Sequence, residues 1–327
     1  MGKGVHKYIK KIFFNIRRYI GVFYHNIHLI NPFGLKGILY LIRLKYLKIV
    51  STDSWGYDLK IKEFIGSYLY NKYSHLIDKK NIYPISDNTI NKTIWVFWWQ
   101  GKNNMPVIVQ KCYNSIIKYS NGANVILITK YNYKKYIEIP EIMIYKLNKG
   151  IICHAHFSDI YRVCLLEKYG GLWLDATIFV TSPIDNSIFD QTFFSMKKDP
   201  SDGMSFNSRY SSFCFGCKPH NILFRNLKTL FLSYIENDKY FVDYFTFDYF
   251  ISMVCDEIPE CKEMIDSLEY NNPNQLSIQL NFDNIFDKKQ YDIWLENTSF
   301  HKLTYKGKHF GTINDKQTYY GYIIKNV

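Results

Sequence analysis

The sequence predicts an α/β domain on a mostly parallel sheet, preceded by a basic helical arm. Three observations predict it. Short, predominantly apolar runs at residues 94–99 (IWVFWW), 124–129 (NVILIT) and 172–174 (LWL) have the length of buried strands. The stretches between them repeat their apolar residues at helical spacing, and strands alternating with helices describe parallel pairing through crossovers. Finally, the formal net charge of +12 is not spread along the chain. Residues 1–50 hold ten Lys or Arg and no acid, which leaves 31 basic against 29 acidic residues in the rest.

That imbalance divides the 327 residues into an arm (1–50), a helical linker region (51–91) and a catalytic-sized domain (92–327). The arm interleaves Phe, Tyr, Ile and Leu with cations and has no uncharged run near the roughly eighteen residues that span a bilayer. A basic amphipathic helix lying on an anionic membrane surface fits it; packing of its second half against the domain is the alternative. With the charge confined to the arm, no nucleic-acid partner is expected. The core is close to neutral. No secretory cleavage site is visible, so the seven cysteines read as reduced thiols, including the C-x-x-C at Cys214 and Cys217. The expected location is cytoplasmic, peripheral on the inner face of the plasma membrane.

Residues 51–91 are polar and Tyr-rich, with a helix expected around 59–73. The strand at 94–99 is broken by Gln100-Gly101, where a ligand can approach the backbone. A helix over 106–119 opens with Pro106, the strand 124–129 follows, and shorter helical pieces fall at 131–136 and 141–148. Phe157, Ile160, Tyr161, Cys164 and Leu165 then mark one face of a central helix. Asp159 and Arg162 sit three apart on its other side, which makes them either a local ion pair or site residues under partial cover of Val163 and Leu166. Gly170 and Gly171 supply the left-handed backbone that ends the helix. At the carboxyl end of the next strand, Asp175 and Thr177 point the same way, a carboxylate and a hydroxyl suited to a hydrated divalent cation.

Ser158-Asp159-x-x-Arg162, Tyr169-Gly170-Gly171 and Trp173-x-Asp175-x-Thr177, taken in order, resemble the donor-site signature of the bacterial capsular polysaccharide synthesis family. That family is related to the family 32 glycosyltransferases with their GG-x-Y-x-D-x-D motif; here Thr177 stands at the second Asp. The resemblance covers about residues 93–306 and implies a GT-A-like nucleotide-sugar fold, a nucleotide-sugar donor, and a glycan or lipid-linked glycan acceptor. It also implies Mn2+ or Mg2+ and retention at the anomeric carbon. It places Gln100, Gly101 and Trp98 or Trp99 beside the nucleotide, Ser158, Asp159, Arg162 and Gly171 around the donor, and Asp175 with Thr177 on the metal. The segment TSFHKLTYK would bring His301, and with it Lys302 or Lys306, to the diphosphate or its metal. Asp175, Asp159 and Arg162 are then the expected catalytic residues. A non-catalytic scaffold of the same fold is the alternative.

The remaining stretches say less. His154 and His156 lack the spacing of a metal pair and read as structural. Residues 178–180 form a strand, and 197–212 are the candidate acceptor-side loop. Helices follow at 220–236 and 243–256, where Asp243 and Asp248 either face the acceptor or are ordinary helix charges.

Overall fold

The computed structural model describes residues 19–79, 91–197 and 209–326. Residues 19–26 are helical, and α1 (Ile30–Val50), bent at Gly34 with φ +64°, forms a hairpin with α2 (Ser54–Tyr73), which Asp53 caps by accepting from Gly56 N. The core then runs β1 (Thr93–Phe97), α3 (Val107–Lys118), β2 (Asn124–Ile128), α4 (Glu141–Asn148), α5 (His154–Tyr169) and β3 (Gly171–Asp175). It continues with β4 (Ile178–Val180), β5 (Phe193–Ser195), β6 (Cys214–Cys217), α6 (Ile222–Asn237), α7 (Thr246–Glu257) and β7 (Phe300–Lys302). A helix at Tyr319–Asn326 closes the described chain.

The main sheet has the order β2-β1-β3-β6-β5. β1 pairs in parallel with both β2 and β3, and only β6 is reversed, so four of five strands run one way. Alternation of side chains sends Trp95, Phe97, Trp173 and Phe215 into one core, against α5, α6 and α7, and Ile94, Val96, Leu172 and Leu174 into the other, against α3. Both faces are covered, which is why these strands read as unbroken apolar runs. β1 leads to β2 on one side and, later, to β3 on the other. The order therefore reverses between β1 and β3, the place where open α/β sheets receive ligands at their carboxyl ends.

Several expectations shift. Trp98 and Trp99 lie beyond the end of β1, Pro106 caps α3 from outside, and residues 131–136 contribute only a short 3-10 turn at Tyr133–Lys135. The second half of the arm is part of the fold: Ile38, Leu41, Ile42 and Leu44 of α1 are buried in the same core as Ile65 and Leu69 of α2. Nor is 51–91 a mere linker, since α2 packs on α7. Arm residues 1–18, and 198–208 of the expected acceptor-side loop, lie outside the described residues.

Candidate active site

A cleft of about 420 Å3 opens at the β1–β3 reversal. β1 delivers Trp98, Trp99 and Gln100; the first turn of α5 delivers His154 and Ser158; β3 delivers Asp175 and, just past its end, Thr177. The segment from Lys302 to Lys306 closes the far wall. Its position follows from pairing: β7 runs antiparallel to β4, and Leu303 N donates to Thr177 O at 2.9 Å.

Asp175 is the focus of charge. Trp173 Nε1 donates to its Oδ1 at 3.0 Å, Lys302 Nζ donates to Oδ2 at 2.7 Å, and Arg162 Nη1 lies 3.6 Å from Oδ1. Burial alone would raise its pKa, but Lys302 and Arg162 outweigh that cost and hold the carboxyl below its usual range. Asp175 is thus ionised, with its side chain about a third exposed to the cleft. The Lys302 ammonium rests over the Phe213 ring, 4.7 Å from its centre.

Arg162 does not reach the cleft. It is 2% exposed, donates to Asp159 and to the Ser212 carbonyl, and stacks 4.6 Å from the centre of Phe247 with Trp173 and Phe215 on either side. Expected as a donor contact, it is a brace behind the site, because three aromatic rings enclose its guanidinium. Asp159 pairs with it and does not line the cleft either. Burial pushes the Asp159 carboxyl up to about 7 against the pull of Arg162, with Asp175 and Asp248 adding repulsion. Asp248, bonded by Tyr210 OH at 3.0 Å, is raised to about 6 by burial.

His301, expected on the metal, is wholly buried. Successive strand residues face opposite ways, so when Lys302 points into the cleft His301 points away, its Nε2 3.1 Å from Thr298 O. Burial lowers its pKa to about 4. Gly171 is also misplaced as a donor contact: it begins β3 where Asp175 ends it, roughly 13 Å away along an extended strand. Gly101 does not line the cleft; its φ of +88° turns the chain after Gln100.

Conversely, His154 lines the cleft although it read as structural, while His156 stacks on Phe241 at 3.9 Å and is structural. Burial lowers the pKa of His154 and takes that of His156 to about 4. Tyr244 and Gln279, which the sequence reading missed, also line the cleft. Tyr244 sits in an aromatic run ahead of α7 and Gln279 in a short polar helix, and neither has a spacing that would reveal it. Cys153, at the N-cap of α5 beside His154, is exposed; the other six cysteines are buried. Among the described residues no group of three His, Cys, Asp or Glu side chains gathers as a metal site.

The family described as capsular polysaccharide synthesis protein matches residues 54–323, most of the chain. O-glycosyltransferase braB of Annulohypoxylon truncatum is 27% identical over 149 residues, covering 43% of this chain and 32% of the relative. The chain thus matches about a third of the length of that curated relative. The solved PaToxG glycosyltransferase superposes with a TM-score of 0.38 at 16% identity, over 63% of this chain and 82% of its own.

Proposed function

The chain belongs to the capsular polysaccharide synthesis family, and from that premise we propose that it is a glycosyltransferase of GT-A-like design. It moves a sugar from a nucleotide-sugar donor to a growing capsular or other surface glycan. The sequence likeness to an O-glycosyltransferase supports the activity class. The observation that carries the reading is the ionised Asp175 at the β1–β3 reversal, with Lys302 on its outer oxygen and indoles at the mouth.

Breaking a sugar–phosphate bond leaves a nucleoside diphosphate whose new charge has to be met as it forms. Lys302 and Lys306 line the cleft and supply cations for the diphosphate oxygens. Trp98, held edge-on by Tyr305 at 5.4 Å, offers a face for the base, and Ser158 and Gln100 offer hydrogen bonds to sugar hydroxyls. Among the described residues Asp175 is the one carboxylate lining the cleft, and with Lys302 moved off its outer oxygen onto the diphosphate, Asp175 and Thr177 would hold Mn2+ or Mg2+, the donor's phosphates and water completing the shell. When bound, the metal would neutralise the leaving diphosphate. His154, kept toward its neutral form by burial, offers a proton acceptor at the lip. Retention at the anomeric carbon is part of the same proposal, and the anomeric configuration of the product tests it.

Attachment to the inner face of the plasma membrane is part of the same reading. The α1–α2 turn exposes Ile49, Val50, Trp55 and Leu59, and among the described residues no helix is long and apolar enough to cross a bilayer. The test is a panel of nucleotide sugars with release of diphosphate as readout, with and without manganese. One donor should turn over, and Asp175→Asn should slow it by about a hundredfold or more while the protein still melts cooperatively. Full activity in that variant would sink the assignment.

A further inference from the structure

A second cavity of about 400 Å3 lies between the α1–α2 hairpin and the chain entering α7. Three consecutive residues separate it from the cleft: Asp243 and Phe245 line the cavity, and Tyr244 between them lines the cleft. The two spaces thus share one wall. Ile49, Ile61, Phe245 and Tyr249 make the cavity largely apolar, and Ile49 is itself exposed, so that wall continues to the surface of the hairpin.

Into this space comes Lys45. It is partly buried and its ammonium donates to Asn26 Oδ1 at 2.7 Å; Asp243 across the cavity acts on it electrostatically, but no carboxylate of the described residues forms a direct ion pair with it. Lys48 and Lys62 differ, since both are tied to Asp58. An ammonium has three donors, so Lys45 keeps capacity for a ligand. Lys45, Lys48 and Lys62 against Asp58 and Asp243 leave one positive charge in excess. A desolvated cation with spare donors beside an apolar wall is complementary to an anion carrying a hydrocarbon chain.

We propose that this cavity seats the phosphate and first hydrocarbon segment of a lipid-linked acceptor, with Lys45 on the phosphate and the acceptor's sugar passing Tyr244 into the cleft. The inference rests on the cleft being the transfer site. It assigns the hairpin a part in acceptor recognition beyond attachment.

The test uses the full chain and farnesyl phosphate as probe, with titration calorimetry. Farnesyl phosphate should bind, while farnesol and inorganic phosphate each bind at least about tenfold more weakly, since each lacks one half of the interaction. Lys45→Gln should weaken farnesyl phosphate about tenfold while the affinity for the nucleotide sugar is unchanged. Ile49→Glu, at an exposed position that folding tolerates, should weaken it too. Equal binding to wild type and Lys45→Gln would overturn the proposal. So would inorganic phosphate binding as well as farnesyl phosphate, or equal competition by short-chain phosphatidylglycerol, which would give the cavity to free phosphate or to bulk headgroups. Loss of farnesyl phosphate binding with donor binding intact defeats this inference alone, whereas failure of wild type to bind any donor defeats the reading of the cleft.

Discussion

Arg162 places a full positive charge where water scarcely reaches, and its two terminal nitrogens find partners while its buried Nε has none. Asp159 and the Ser212 carbonyl accept from it, Asp175 lies within Coulombic range, and Phe247 stacks on its face. Removing the buried guanidinium leaves Asp159 and Asp175, which are partly exposed, without that counter-charge and empties a site among three rings, a loss toward or below the low end of the roughly 3–5 kcal/mol of a fully buried pair. Arg162→Ala should therefore lower the denaturation midpoint strongly, and Arg162→Lys should not restore it, because an ammonium cannot reproduce the guanidinium fork. Chemical denaturation followed by circular dichroism measures both. A stable Arg162→Ala protein with weakened donor binding would return the guanidinium to the donor. The pairing with Asp159 was legible, since three residues apart on a helix are neighbours. The covering by Phe247 and Ser212 was not, because those contacts come from the first turn of α7 and from the residues before β6, far away in sequence.

At the scale of elements, the strands legible in the sequence are the apolar runs of β1, β3 and β4, which are buried, and of β2, whose apolar side chains at the sheet edge are only partly covered. β5, and the pairing of β6 between β3 and β5, escaped notice because runs of three or four residues carry too few alternations to show a period or a register. Parity set the harder limit in β7. His301 and Lys302 are adjacent, and only the register against β4 decides which one meets the cleft. Gly171 shows the same dependence on pairing. With φ of +90°, an added Cβ would stand 2.5 Å from Thr93 O, so the glycine exists to let β3 dock on β1. Gly171→Ala should cost about 2–4 kcal/mol from strain and overlap, while the folded fraction keeps the donor affinity of wild type. Thermal melts and donor titration separate the two effects. An unchanged melt with lost donor binding would restore Gly171 to the site.

For the molecule as a whole, the arm is where composition and architecture part. Charge counts placed a boundary at residue 50, but burial depends on which side chains face the core, and four of α1 do. Each such side chain contributes roughly 1.5–3 kcal/mol. Together that is comparable with the whole net stability of a domain, about 5–15 kcal/mol. Deleting residues 1–50 should abolish a cooperative melt and bring the chain out of solution. A soluble, cooperatively folding 51–327 fragment would contradict that packing.

The distribution of the seven thiols gives the molecule a built-in reporter. Burial raises the pKa of Cys112, Cys164, Cys214, Cys217, Cys255 and Cys261, so these six are both shielded and protonated in the native state. Cys153 alone stands exposed, at the lip of the cleft one residue from His154. Alkylation of the native protein should therefore stop at one equivalent, and all seven should react on unfolding. A fluorophore coupled there would sit one residue from cleft-lining His154, so that filling of the cleft by an added nucleotide sugar would register as an optical signal independent of turnover.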